Sequence, residues 1–129
     1  MFKKRKKHDI PDIARIGYLP ADSTGSVEVY VQTDDNGGVP HFHVRKYGKK
    51  GKLEWETCIK YTEALYFLHD SYKDKLPDKN ISKALDEMLK SENPNDHRTY
   101  WQTAIVAWNK NNSAVEVPFD LPQPDYTLL

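Results

Sequence analysis

Three successive stretches of this chain alternate apolar and polar residues. In "SVEVYVQT" (26–33), Val27, Val29 and Val31 lie on one side, and Glu28, Tyr30 and Gln32 on the other. In "PHFHVRKY" (40–47), Phe42 and Val44 oppose His41, His43 and Arg45, and in "KLEWETCI" (52–59), Leu53, Trp55, Thr57 and Ile59 oppose Glu54, Glu56 and Cys58. A period of two is that of a strand with one buried face. "DDNGG" (34–38) and "GKKG" (48–51) separate the runs with residues that tolerate positive φ, and Pro40 falls at a first strand position, where a missing N–H matters least. The pattern predicts a three-stranded antiparallel meander. "YTEALYFLHDSYKD" (61–74) admits a fourth strand, roughly Leu65 to His69, or a helix starting near Thr62. The two-proline segment 10–25 leaves a short strand or a helical turn open.

From Leu76 the period changes. Ile81, Ala84, Leu85, Met88 and Leu89 recur at one face of an α-helix, with Asp78 or Asn80 as N-cap after Pro77 and Pro94 as the far limit. A second helix follows. Trp101, Ile105 and Trp108 form its stripe, Tyr100, Ala104 and Ala107 lie beside it, Asp96 caps it, and Asn111-Asn112 end it. The last stretch, 113–129, holds three prolines and reads as an extended strap anchored by Phe119, Leu121 and Tyr126. It lies on its own domain, or it is a linear motif that docks elsewhere. The expected class is α+β: an antiparallel β-meander of three to four strands packed on one face by two C-terminal helices, with extended N- and C-terminal tails. The basic tail is 1–9, the single domain 10–112 and the Pro-rich strap 113–129.

Two hairpin registers follow. Pairing Thr33 with Pro40 sets Val31 against Phe42 and Val29 against Val44, with Tyr30 opposite His43 and Glu28 opposite Arg45. Pairing Tyr47 with Lys52 sets Val44 against Trp55, Arg45 against Glu54, His43 against Glu56 and His41 against Cys58. Both agree on which face is buried, and a one-residue slip in either would turn the valines outward. The polar face, read as facing solvent, then carries three rows: Glu28–Arg45–Glu54, Tyr30–His43–Glu56 and Gln32–His41–Cys58.

Composition sharpens this only in part. The 129 residues hold 19 Lys and Arg against 19 Asp and Glu, a net charge of zero, so a general nucleic-acid coat is disfavoured. The charge is uneven, with "FKKRKK" at the start and Arg45, Lys46, Lys49, Lys50 and Lys52 around the second turn. One cysteine, Cys58, permits no internal disulfide and fits a reducing cytoplasm. No apolar run approaches a bilayer span, and no export signal is expected.

The chemistry on the polar face has several readings. A carboxylate beside His43 favours its charged form, suiting acid–base work or phosphate binding. The first row is an ordinary ion-pair arrangement. The third places a thiol near an imidazole, as nucleophilic catalysis requires, but without an orienting third group. His-x-His on a strand points both rings one way, as metal ligation needs, with Glu56, Cys58 or His69 as further ligand. His69-Asp70 reads as a strand-end polar pair. The basic turn beside Tyr47 has the composition of a nucleic-acid surface, and equally that of a guarded sheet edge. Phosphate-loop, dinucleotide, zinc-protease and nucleophile-elbow motifs are absent from the sequence.

"VPHFHVRKYG", "LPDKNISKALDEML" and "YWQTAIVAWNKNN" together resemble a group of small bacterial proteins whose hallmark is a hairpin ending in Pro-His-Phe-His. The resemblance covers roughly 26–112, and its specific part is Pro40–His43. It implies this α+β fold and a setting near toxin–antitoxin or mobile-element genes, with no assigned reaction; a phage-related system is a further setting for the expected function. The chain departs from the pattern at Val39, where a second proline is usual, and in its long C-terminal end.

The leading expectation is a small cytoplasmic, non-enzymatic binding or accessory protein. Its partner is another protein, contacted through His41, His43, Arg45, Tyr30, Lys49 and Lys50, with no cofactor. The alternative is a small metal- or His-dependent hydrolase of a phosphate-containing substrate. There His43 is acid–base, Glu56 its orienter and His41 a co-ligand, with His41, His43 and Cys58 the candidate metal ligands. A third is inhibition by occupying a nucleic-acid channel through Lys3–Lys7 and Lys46–Lys52.

Overall fold

The computed structural model describes residues 13–20, 25–32, 38–67 and 79–129. The basic tail, the His69-Asp70 pair and the Asp78 cap lie outside the described residues. Among the described residues, five strands form one antiparallel sheet in sequence order: β1 (Ile13–Tyr18), β2 (Gly25–Gln32), β3 (His41–Gly48), β4 (Leu53–Lys60) and the two-residue β5 (Tyr66–Phe67). Two helices follow, α1 (Lys79–Lys90) and α2 (Tyr100–Asn111). The α+β class is as the patterning predicts. No helix among the described residues is long and apolar enough to cross a membrane.

The first hairpin register is the expected one, with Glu28, Val29 and Tyr30 opposite Arg45, Val44 and His43. At its far end Gly25 pairs with Gly48. Gly25 has φ +139°, and a Cβ there would sit 2.0 Å from the Tyr47 carbonyl oxygen, so only glycine lets the two backbones approach.

The second hairpin corrects the expectation. Tyr47 pairs with Leu53 rather than Lys52, and after an irregularity at Lys46/Tyr47 the ladder runs Arg45–Glu56, Val44–Thr57, His43–Cys58 and His41–Lys60. The shift is two residues, so each side chain keeps its face while changing its neighbour. The cause is the turn. Gly48 N–H donates to the Lys52 carbonyl at 2.9 Å and Gly51 takes φ +77°, closing a longer loop than the sequence pattern suggests.

β1 resolves the segment left open, and its bulge between Arg15 and Gly17 sets Arg15 opposite Tyr30 and Tyr18 opposite Glu28. The fourth predicted strand is present as β5, paired through Tyr66 and Phe67. The helix from Thr62 is not formed, because 61–64 turn in bends.

α2 packs over the valine face against β1, β2 and β3. Val29, Val31, Phe42, Val44 and Ile59 are buried there with Leu85, Leu89, Trp101, Ile105 and Trp108. Tyr61 from the sheet donates its hydroxyl to the Ala104 carbonyl at 2.7 Å, tying α2 down. α2 starts at a capping box of Thr99 and Gln102 instead of at Asp96, which accepts from Thr103 at 2.8 Å. Asn80 lies inside α1 and is not its cap.

The segment 113–129 is part of the same core. Asn109 receives and gives one hydrogen bond each with the Val117 backbone, both 2.7 Å. Trp101 and Trp108 donate their indole N–H to the Leu121 and Val115 carbonyls, each at 2.8 Å. Tyr126 is fully buried and donates its hydroxyl to the Lys60 carbonyl at 2.7 Å. Of the predicted anchors, Phe119 is instead exposed, beneath the Arg98 guanidinium.

Candidate functional site

The polar face of the sheet is not open. Glu28, His43 and Cys58 are each 1% exposed, and His41 and Tyr30 each 3%. This overturns the solvent-facing surface expected for His41, His43 and Tyr30. Alternation separates two faces and does not say that one of them is wet.

Within this buried face the described planar side chains stack on one another. The Arg45 guanidinium lies 4.1 Å from the Tyr30 ring centroid and 5.4 Å from that of Tyr47. Tyr30 stacks on His43 at 4.8 Å, His43 meets His41 at 5.0 Å, and His41 reaches the Trp108 ring at 5.5 Å. A column of planar groups thus runs along β3 from the basic turn to α2. Planar rings with polar edges suit such packing, because each keeps an edge for hydrogen bonding.

Two carboxylates organise the column. Glu28 is gripped by Arg45 Nε at 2.8 Å and by Arg15 Nε from the other side. Burial would raise its pKa, but the hydrogen bonds and charges of Arg15 and Arg45 outweigh burial and hold it below the usual carboxylate range. Glu54, expected beside Arg45, instead covers Gly48 from an exposed position. Arg15 had no signal in the sequence, since a bulged strand hides the alternation that would have placed it.

Glu56 lies diagonal to His43. One of its oxygens accepts from the Tyr30 hydroxyl and lies 3.0 Å from His43 Nδ1. Burial again pushes this carboxyl up, and the bonds from His43 and Tyr30 overcome it, leaving it lowered. The Tyr30 hydroxyl is held far above its ordinary pKa, by burial first and then by Glu56. The expected His43–Glu56 contact therefore forms, through a diagonal rather than a direct cross-strand pair.

Cys58 sits directly opposite His43, with Sγ 3.7 Å from Nδ1. His41 Nδ1 lies 2.7 Å from the Val39 carbonyl oxygen. His41, His43 and Cys58 each bring one donor atom within 4.8 Å of the others. His97 is elsewhere, on the exposed loop between the helices, 3.3 Å from Glu92.

The basic turn projects from the far end of β3. Lys49, Lys50 and Lys52 are exposed, while Arg45 and Tyr47 are half-buried at its base. No family model, curated protein or solved structure matches this chain.

Proposed function

We propose that this chain is a small non-enzymatic binding module that docks an acidic protein partner through the β3–β4 turn. One observation carries the reading. The polar sheet face is buried, so the concentrated charge offered to solvent by the described part of the sheet is the Lys49–Lys50–Lys52 turn. Tyr30, His41 and His43 leave the contact surface. Arg45 stays as the half-buried brace of the turn, and Lys49 and Lys50 as contacts. The Gly48–Lys52 and Gly51–Gly48 backbone bonds, both 2.9 Å, pre-order the loop and so lower the entropy lost on docking.

A net charge of zero argues for a local acidic patch as target rather than an extended nucleic-acid backbone. The Pro-His-Phe-His resemblance motivates a toxin–antitoxin or mobile-element setting, with a phage-related system as a further one, and the single cysteine a cytoplasmic one.

The hydrolase reading keeps one supporting observation, the His43–Glu56 contact at 3.0 Å. It stands second, because a histidine 1% exposed gives a phosphate ester little approach. The channel-inhibitor reading rests on Lys3–Lys7, which lie outside the described residues, and on the same turn.

Fluorescence anisotropy with a labelled glutamate-rich peptide and a DNA duplex of equal charge tests the proposal. The peptide should bind in a salt-sensitive manner, and Lys49→Glu/Lys50→Glu should weaken it about tenfold or more, since each reversal removes roughly 0.7 kcal/mol of exposed charge pairing. Equal or tighter binding to DNA would transfer the reading to nucleic acid. Binding indifferent to salt and to the double substitution would end it.

A further inference from the structure

We infer that His41, His43 and Cys58 form a binding site for a divalent late transition-metal ion of the zinc class. The inference does not depend on the docking proposal, because it uses none of the turn residues.

The donor geometry is close to what such an ion requires. With zinc–nitrogen bonds of about 2.0 Å and zinc–sulfur bonds of about 2.3 Å, neighbouring donors in a tetrahedron stand about 3.3–3.6 Å apart. One donor atom from each of His41, His43 and Cys58 forms a set in which no edge exceeds 4.8 Å. Closing the widest edge takes a shift of roughly 1 Å, within the reach of small side-chain rotations.

The fold supplies this arrangement by register. His41 and His43 are two apart on β3 and share a face, and the two-residue shift in the second hairpin brings Cys58, instead of Glu56, directly across from His43. In the register read from sequence alone, Cys58 would have faced His41.

The donor types select the ion class. Two imidazoles and one thiolate suit zinc, cobalt and copper, whereas magnesium and calcium prefer oxygen. The surroundings are those of ligand imidazoles. A carbonyl only accepts, so the 2.7 Å contact with Val39 places the His41 proton on Nδ1 and its lone pair on Nε2. Glu56, itself held by Tyr30, hydrogen-bonds His43 Nδ1, so an ion would be taken by the other ring nitrogen, with the carboxylate fixing the ring's orientation.

With His41 at 3% exposure and the other two at 1%, the ion would be enclosed and would cross-link β3 to β4 beneath the Trp108 ring. Three protein donors leave a fourth position for a water. An ion held by these three residues would lock together the strands that carry the basic turn.

The test uses the full-length, tag-free, reduced chain, dialysed against chelator and titrated with cobalt(II), then with zinc. The expected result is one equivalent of cobalt, with tetrahedral d–d bands and a thiolate-to-cobalt charge-transfer band, displaced by zinc and accompanied by a higher melting temperature. Cys58 is the only cysteine, so that band identifies it without any substitution. Cys58→Ser should abolish the band and weaken zinc binding by at least about 100-fold, and His41→Gln should weaken it comparably. Lys49→Glu/Lys50→Glu should bind zinc as wild type does. Substoichiometric binding by the folded wild type, binding without the thiolate band, or wild-type zinc affinity in Cys58→Ser would each overturn the site. Should Cys58→Ser fail to fold, the wild-type spectrum alone decides.

Discussion

Glu28→Gln is the substitution that separates a closed polar face from a solvated one. On an open sheet face, an Arg–Glu contact contributes about 0–1 kcal/mol. Here the Glu28 side chain is 2% exposed, and its two partners differ: Arg15 is 51% exposed and Arg45 20%. Losing the Arg15 contact should cost little, about 0–1 kcal/mol, because that guanidinium rehydrates. Losing the charge on the other side strands Arg45 between two rings with a neutral acceptor, and a buried hydrogen bond to a charged group is worth about 1.5–3 kcal/mol. Together the substitution should destabilise by about 1.5–4 kcal/mol. At roughly 3–4 °C per kcal/mol for a domain of this size, the melting temperature should fall by about 5–16 °C. Urea unfolding at pH 7 measures the loss, with Arg15→Ala as the exposed-side control at under about 1 kcal/mol. The gap between wild type and Glu28→Gln should narrow in acid, because a protonated Glu28 resembles glutamine. A loss below about 0.5 kcal/mol, with no narrowing at low pH, would refute the claim that this face is an interior.

Asn109→Ala removes both 2.7 Å bonds to the Val117 backbone and leaves a buried N–H and C=O without them, so chemical denaturation should register a loss of about 2–4 kcal/mol. Gly25→Ala adds a Cβ 2.0 Å from the Tyr47 oxygen at a φ that side chains rarely adopt. It should lower soluble yield and melting temperature sharply, whereas Gly38→Ala, with open space around it, should not. Glu28 and Glu56 both hold protons less readily in the folded chain than in the unfolded one. Their contribution is therefore complete above the unfolded carboxylate value of about 4.3, and is lost as the pH falls through their lower folded values. Acid titration of wild type should show that loss, and Glu28→Gln/Glu56→Gln should show a flatter profile. Tyr61→Phe deletes the hydroxyl that donates to Ala104, and hydrogen exchange of α2 amides should quicken relative to wild type.

Much of this architecture was legible in the order of residues. The alternation of Val27, Val29 and Val31 with Glu28 and Tyr30, and of Phe42 and Val44 with His41 and His43, settles which side chains share a face, because a strand turns each residue over relative to the last. The first hairpin register followed, since any one-residue error would have exposed the valines. The Leu85–Leu89 and Trp101–Trp108 stripes likewise located the helices and their share of the core. Tertiary structure decided three further matters. A two-residue slip is invisible to alternation, so only the closure of the Gly48–Gly51 turn sets Cys58 against His43. The bulge in β1 breaks the period, so only the folded sheet brings Arg15 to Glu28. Whether the polar face meets water depends on what its rings stack against, and that is a property of neighbours distant in the chain. Tyr30, Arg45, the two histidines and Trp108 pack into one column within a face that the folded chain buries rather than leaves as a surface.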